Sequence, residues 1–289
     1  MQLTLIRFFS LSLIILLVYF LKIGDFNLII ISFTFSHFFI GYLYSYNQYK
    51  ELTSKKKGYF ILVFLILVSI ILFYFYPEFI HVYFLIHHVL NEAYLSTKDL
   101  ILRNSRFFNM FITGRIIFHS IIFGFITKIY SSFEFYKSWL LITFFIISSI
   151  FFISLLFYIK KDANKKYFFD NVIFEIVGIA FVIFSLFFVA NFPAANSKLY
   201  VVAYHVFFWA LYPIPKLRKI GRDNQLNKYF ITTITTFIIF LILGYIIISV
   251  FNYETLFSLF FIFTYLHISL SFALSDAQPL WITKLFKNK

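Results

Sequence analysis

The chain has 289 residues, of which 62% are hydrophobic, 25% aromatic and only 13% charged. A soluble domain is about a quarter charged, so this composition excludes a water-exposed surface, and the mean hydropathy of +0.89 indicates an integral membrane protein. The absence of Cys excludes disulfides, a thiolate metal site and a Cys nucleophile. The net charge of +13 could indicate nucleic-acid binding, and the positions of the basic residues along the chain decide this.

Ten apolar runs have about the length of a membrane-spanning helix, which needs roughly 20 residues. In chain order they cover residues 3–21, 26–46, 59–77, 78–96, 107–127, 138–159, 171–190, 198–213, 229–251 and 255–275. Pro77 separates the third run from the fourth, because a proline interrupts a helix. The sequence therefore predicts an all-α polytopic membrane bundle of about ten helices, forming a single transmembrane domain over 1–289.

Lys and Arg are concentrated in alternate connecting segments. Twenty of the 25 basic residues lie on one predicted side, in 47–58, 97–106, 160–170, 214–228, the tail from 278, and at Arg7. The opposite side holds Lys22, Lys128, Lys137 and Lys198. Cytoplasmic loops are enriched in Lys and Arg, so both termini are predicted to be cytoplasmic, in a plasma or inner membrane. Charge spread over short loops at a membrane face favours contact with anionic lipid and argues against nucleic acid.

Histidines occur at similar depth in several predicted spans. Six of the seven lie well inside a span, on five different helices: His37, His87, His88, His119, His205 and His267. Ionisable groups inside a bilayer are costly and usually functional. Besides the histidines, the predicted spans contain the charged residues Glu92, Arg115 and Glu175. The shared depth predicts that several imidazoles meet.

Two pairs with i,i+4 spacing sharpen this prediction, since residues four apart share a helical face. His88 pairs with Glu92, and Arg115 with His119. Imidazole is the commonest metal ligand, and a nitrogen and carboxylate set without thiolate suits non-haem iron, or less readily zinc. For each single His, a hydrogen bond to a neighbouring helix is the competing interpretation, most of all for His87 and His119. Glu175 with Arg115 is equally compatible with a structural ion pair between helices.

Several enzyme classes are disfavoured because their motifs are missing. The chain lacks a glycine-rich phosphate loop, a paired Asp-rich motif for magnesium diphosphate, G-x-S-x-G and HExxH. Membrane desaturases carry three dense histidine boxes. In this chain, His81 with His87 and His88 approximates one such box and the others are missing.

The remaining pattern resembles the bacterial and archaeal beta-carotene 15,15'-dioxygenase family (Brp/Blh type), membrane proteins of about this length whose iron is held by His on separated helices. His37 resembles the family's early His, His88-x3-Glu92 resembles its second motif, and His205 falls where an H-x3-H pair would begin. Trp209 stands in place of the second His of that pair, so His267 would have to supply the missing ligand. The resemblance implies iron and an apolar substrate.

The leading hypothesis is a membrane non-haem iron(II) oxygenase acting on a lipid-soluble substrate such as an isoprenoid or lipid. Its predicted metal ligands are His37, His88, His205 and His267, with Glu92 as fifth ligand or orienting group. Arg115 with His119 would hold a polar head group or a developing anion. The alternatives are a secondary transporter or lipid flippase that uses buried His, Glu and Arg, and a structural membrane subunit. The expected partners are membrane lipid and a lipophilic small molecule.

Overall fold

The structure is a computed structural model that describes residues 2–54, 56–76, 79–80, 83–84, 86–88, 91, 146, 150, 197–219 and 221–274. Within these residues the chain is helical and contains no strand, as the apolar runs predict. The protein divides into two compact units, one formed by Gln2–Ile80 with Leu199–Leu274 and the other chiefly by His81–Lys198 with Ser275–Lys289. The helices below belong essentially to the first unit.

The described part of the chain forms eight helices. They are α1 Gln2–Phe20, α2 Ile23–Tyr44, α3 Tyr46–Ser54, α4 Lys56–Phe75, α5 Ser197–Leu211, α6 Pro213–Lys219, α7 Asp223–Val250 and α8 Tyr253–Leu274. α4 ends two residues before Pro77, as predicted from that proline. The predicted spans at 107–127, 138–159 and 171–190, and most of 78–96, lie outside the described residues.

Four of these helices are long and apolar enough to cross a membrane: Gly24–Leu43, Gly58–Phe75, Asp223–Val250 and Tyr253–Ser271. Large apolar side chains on their surfaces are exposed, such as Phe60 at 69% and Ile231 at 67%. Apolar surface on this scale is unusual for a soluble monomer and is what a lipid-facing helix presents. The protein is therefore a membrane protein.

Two predicted connecting segments are partly helical. The basic segment 47–58 contains most of α3, and 214–228 contains most of α6 and the first turns of α7. α7 begins at Asp223, six residues before the predicted start of its span at 229, and the acidic side chain in its first turn favours this start through the helix dipole. Arg7, counted with the basic loops, is instead fully buried within α1.

α7 and α8 are joined by a turn of two residues, Phe251 and Asn252. Asn252 Oδ1 accepts hydrogen bonds from the backbone N–H of Thr255 at 2.8 Å and from its hydroxyl at 2.9 Å. This is an N-cap, which satisfies an otherwise orphaned donor and fixes the start of α8. The two helices consequently form a tight hairpin.

α2 packs along α7 in antiparallel register through small and hydroxyl-bearing residues. The Ser36 and Thr236 hydroxyls lie 2.6 Å apart, and one turn further along Ser32 Oγ donates to the Phe240 carbonyl at 3.3 Å. Another turn on, a Cβ added to Gly244 would lie 2.8 Å from Leu28 Cδ1. Small residues allow close helix approach in a membrane, where packing and hydrogen bonds replace the hydrophobic effect.

Other inter-helix hydrogen bonds complete the first unit. The Ser69 and Ser269 hydroxyls join α4 to α8 at 3.0 Å, and the Tyr265 hydroxyl donates to the Tyr76 carbonyl at 2.8 Å. The Tyr229 hydroxyl donates to the Ala210 carbonyl at 2.8 Å, which fixes the end of α5 against α7. These bonds hold α4 against α8 and α5 against α7.

Candidate functional site

Three histidines from three helices meet in the first unit. The ring of His37 on α2 lies 5.3 Å from that of His267 on α8 and 5.6 Å from that of His205 on α5, centroid to centroid. His37 is thus the central member of the group, which we call the histidine cluster. The structure brings together three of the four predicted metal ligands.

The cluster lies at or slightly beyond the middle of its helices. His37 precedes the last residue of α2 by seven positions, His205 that of α5 by six, and His267 that of α8 by seven. At 1.5 Å per residue this is about 10 Å from each helix end. The predicted depth at the membrane midplane stays a prediction, and His37, His205 and His267 lie within four residues of the centres of their helices.

Aromatic rings surround His267 and fix its position. Phe38 stacks on it with centroids 4.4 Å apart, and the Tyr42 ring is 6.2 Å away. α2 passes close by at Gly41, where an added Cβ would lie 3.6 Å from His267 Cε1. His205 is buried and contacts Trp209, with centroids 6.3 Å apart. The cluster is thus enclosed by packed rings on these sides.

A pocket of about 910 Å³ borders the histidine cluster at His37. Its walls come from the second half of α2, the end of α5, α6 and the start of α7, with Trp209 and Ile40 among the lining residues. His205 and His267 do not line it, so His37 alone of the three contacts both the cluster and the pocket. A ligand in this pocket would therefore meet the cluster through His37.

The hydroxyl groups in the pocket wall already have acceptors for their protons. Thr232 donates to the Lys228 carbonyl and Thr233 to the Tyr229 carbonyl, both at 2.8 Å. Ser36 lies 3.4 Å from the Thr233 carbonyl and 2.6 Å from the Thr236 hydroxyl. Since these hydroxyl protons are engaged within the helices, the wall behaves largely as an apolar surface.

The end of the pocket away from His37 is basic and is called here the mouth, formed by Arg222, Gln225 and Lys228. All three residues are exposed, and Arg222 Nη1 donates to Gln225 Oε1 at 3.2 Å. Within the described residues no carboxylate pairs with Arg222 or Lys228. The mouth therefore carries two cations that form no ion pair with an acid in this part of the chain.

His87 and His88 belong to the second compact unit. Asn91 Nδ2 donates to His87 Nε2 at 3.0 Å, and His88 stacks on Phe84 with centroids 6.3 Å apart. The bond to Asn91 agrees with the prediction that His87 has a structural role. The predicted roles of His88 remain predictions, and the predicted site residues Glu92, Arg115 and His119 lie outside the described residues.

The donors of the histidine cluster have the right chemistry for iron or zinc. Its ring separations of 5.3 and 5.6 Å are of the size expected for imidazoles sharing an ion at about 2 Å from each nitrogen. Among the described residues, however, no three His, Asp or Glu side chains are arranged to hold a metal ion. A metal centre here thus requires the rings to turn, or donors from residues beyond those described.

Sequence reasoning did not find the pocket or its mouth. Trp209 was noted only as a departure from a histidine motif, and Arg222 and Lys228 only as orienting charges. The available signal was the polar stretch that interrupts the apolar pattern at Pro213–Lys228, but it did not show that α6 folds back beside α2.

Comparison with known proteins gives no match: no protein-family model, no curated protein and no solved structure is significantly similar to the chain.

Proposed function

We propose that the protein is a membrane-embedded, metal-dependent oxygenase, with iron(II) at the histidine cluster and a lipid-soluble substrate in the adjoining pocket. The observation that carries the proposal is the position of His37, which contacts His205 and His267 and also lines the pocket. Imidazoles from three helices beside a largely apolar pocket are the components that such an enzyme requires. The resemblance to the beta-carotene dioxygenase family, through His37 and His205, points the same way.

His37, His205 and His267 would hold the metal, and the predicted ligand roles of His88 and Glu92 rest on the sequence alone. Iron(II) held by these histidines would supply the activation of oxygen. The residues of this chain bind and orient the substrate: the apolar wall excludes water, and Trp209 and Ile40 confine the substrate's apolar part. The predicted role of Arg115 and His119, to hold a polar head group or a developing anion, rests on the sequence alone.

The decisive test is the metal content of the purified protein after anaerobic loading with iron(II). We expect iron in fixed ratio to the chain, lost in His37→Ala and in His205→Ala together with turnover of isoprenoid or fatty-acyl substrates. The matched control is His87→Ala, because the His87 ring is bonded to Asn91 and belongs to the other unit. Iron content that survives both cluster substitutions would overturn the metal assignment, and zinc in place of iron would redirect the chemistry to hydrolysis.

A second candidate, a secondary transporter or lipid flippase, is favoured by the mouth of the pocket. Two cations at the entrance of a membrane pocket, with no acidic partner among the described residues, suit an anionic cargo. Its signature in proteoliposomes is movement of an anionic lipid between leaflets that does not depend on metal and is lost in Arg222→Gln/Lys228→Gln.

We also propose the full topology: ten spans, both termini cytoplasmic, in a plasma or inner membrane. The charge asymmetry of the connecting segments supports it. Because the chain contains no Cys, single cysteines can be introduced without first removing others. In intact cells, an impermeant maleimide should label Lys22→Cys, whereas Ser54→Cys should be labelled only after lysis; the reverse pattern would invert the topology.

A further inference from the structure

The pocket beside His37 is chemically divided along its length. Apolar side chains such as Phe33, Ile40 and Leu43 line it on α2, and the wall hydroxyls are bonded to helix acceptors. Charged donors occur at its mouth, on Arg222 and Lys228. A ligand that matches this division is itself divided, with a charged end and an apolar body.

The helix register gives the distance between the two ends. Contacts of Ser36 with Thr236 and of Ser32 with Phe240 place α2 and α7 antiparallel, so the level of His37 on α2 corresponds to position 235 of α7. Lys228 lies seven residues earlier on α7, which is about 10 Å along the axis. The charged end of a bound molecule would thus lie about 10 Å from the level of the histidine cluster.

We propose that the pocket binds an amphiphile with an anionic head group, a carboxylate or phosphate monoester, held by Arg222 and Lys228, with its apolar body extending toward His37. The planar guanidinium donates two parallel hydrogen bonds to such an anion, and the ammonium adds a point charge. A neutral hydrocarbon such as a carotenoid would offer neither cation an anionic partner. The cations therefore select against it relative to an acid of the same apolar body.

That this amphiphile is the substrate rests on the proposed oxygenase function. That the pocket binds it does not. An anionic head fixed at the mouth would present carbons a short way down the chain to the cluster. The separation of about 10 Å between the level of Lys228 and that of the histidine cluster fits a reaction near the head of the molecule.

Trp209 provides a direct reporter because it lines the pocket, and the chain has only three Trp. With the other two removed as Trp139→Phe and Trp281→Phe, a bromine-labelled fatty acid quenches Trp209 fluorescence only on close approach. We would titrate the metal-free protein, in a non-ionic detergent, with the brominated acid, with a brominated lysophosphatidic acid and with the methyl ester of the same acid. Unlabelled acetate and inorganic phosphate serve as head-only competitors.

We expect saturable quenching by both anionic amphiphiles, about tenfold tighter than by the ester, since the ester loses a charge-assisted interaction. Arg222→Gln/Lys228→Gln should weaken the anionic amphiphiles by about the same factor and leave the ester unchanged. The matched control is Lys50→Gln/Lys56→Gln, which removes the same charge from positions away from the pocket. Thr232→Trp, in the Trp209→Phe background, places an indole in the pocket. We expect added lipid vesicles to extract the acid from this variant, whereas the parent protein retains it.

Equal quenching by acid and ester, or a mouth variant that binds the acid like the parent, would overturn the proposal. Competition by acetate or phosphate alone at the same concentrations would also overturn it, because the apolar body would then contribute nothing. Since binding is measured without metal, the two proposals fail separately. If the protein binds the acid selectively but takes up no iron, this inference stands and the oxygenase proposal fails. If it takes up iron but binds acid and ester equally, the oxygenase proposal stands and this inference fails.

Discussion

The two halves of the α2–α7 pair are built from different residues and perform different tasks. In the closed half, from Leu28 to Ser32 against Phe240 to Gly244, Gly244 leaves room for Leu28 and the Ser32 hydroxyl donates to the Phe240 carbonyl. In the open half, beyond Ser36 and Thr236, a pocket separates the helices and α6 contributes to its wall. Close packing in one half thus fixes the register that positions His37 and the mouth in the other.

The contrast shows how a membrane protein with few glycines makes both an interface and a cavity. The chain has eight Gly in all, and Gly244 is placed where an added Cβ would meet Leu28 of α2. In the open half, Ile40, Gly41 and Leu43 of α2 border the pocket. The glycine at the close approach, Gly244, thus lies on α7 and faces the larger Leu28 of α2.

The largest expected effect comes from breaking the closed half with Gly244→Leu. A Cβ alone would lie 2.8 Å from Leu28 Cδ1, so a larger side chain forces the helices apart, at a cost of about 1–3 kcal/mol or more. We expect a lower midpoint of thermal unfolding in detergent, and loss of pocket binding with it. Gly24→Leu is the matched control, because nothing lies within 4 Å of a Cβ there. Equal destabilisation by both variants would mean that the close approach at Gly244 is not what holds the pair.

A smaller effect is expected at the junction of the two halves with Thr236→Val. This removes the 2.6 Å contact with the Ser36 hydroxyl while keeping the shape of the side chain, and inter-helix hydrogen bonds in membranes contribute about 0.6 kcal/mol on average. Thr232→Val serves as the control, since its hydroxyl bonds only within its own helix. Calorimetric unfolding of the two variants side by side should show the loss for Thr236→Val, and a larger loss for Thr232→Val would contradict the assignment.

The smallest effect concerns pH at the end of α2, where α3 begins. Burial raises the pKa of Tyr49, and the adjacent Tyr42 phenol adds to the rise. The neutral phenol is therefore favoured in the folded state, so this contribution to stability is complete below the unfolded pKa of about 10 and is lost as pH rises above it. Tyr49→Phe should flatten the fall in unfolding temperature above that pH, measured against Tyr46→Phe at an exposed position. An identical fall in both variants would exclude Tyr49 as its source.

Much of the described fold could be predicted from apolar runs, and the rest could not for a physical reason. α1, α2, α4 and α8 start and end within a few residues of the predicted spans, because the length of an apolar run is set by the bilayer. α3 and α6 have nine and seven residues and are polar, so a search for long apolar runs misses them. Their polarity reflects an interfacial position rather than an irregular loop.

The candidate site divides in the same way. Shared depth along separate helices predicted that histidines would meet, and His37, His205 and His267 do. The pocket depends on how α6 and the end of α5 pack beside α2, which are contacts between segments about 170 residues apart. Such contacts leave no periodic signal in the sequence, so Trp209 and Arg222 could not be assigned to one cavity before the structure.

The length of α7 makes the mouth sensitive to the thickness of the surrounding membrane. Its 28 residues span about 42 Å, whereas the hydrocarbon core is about 30 Å thick, so the helix must tilt or extend its polar first turns into the head-group layer. A thicker bilayer draws those turns and Lys228 down toward the acyl chains, and a thinner one lifts them into water. Lipid composition would therefore adjust how readily the pocket loads, without any change in the protein itself.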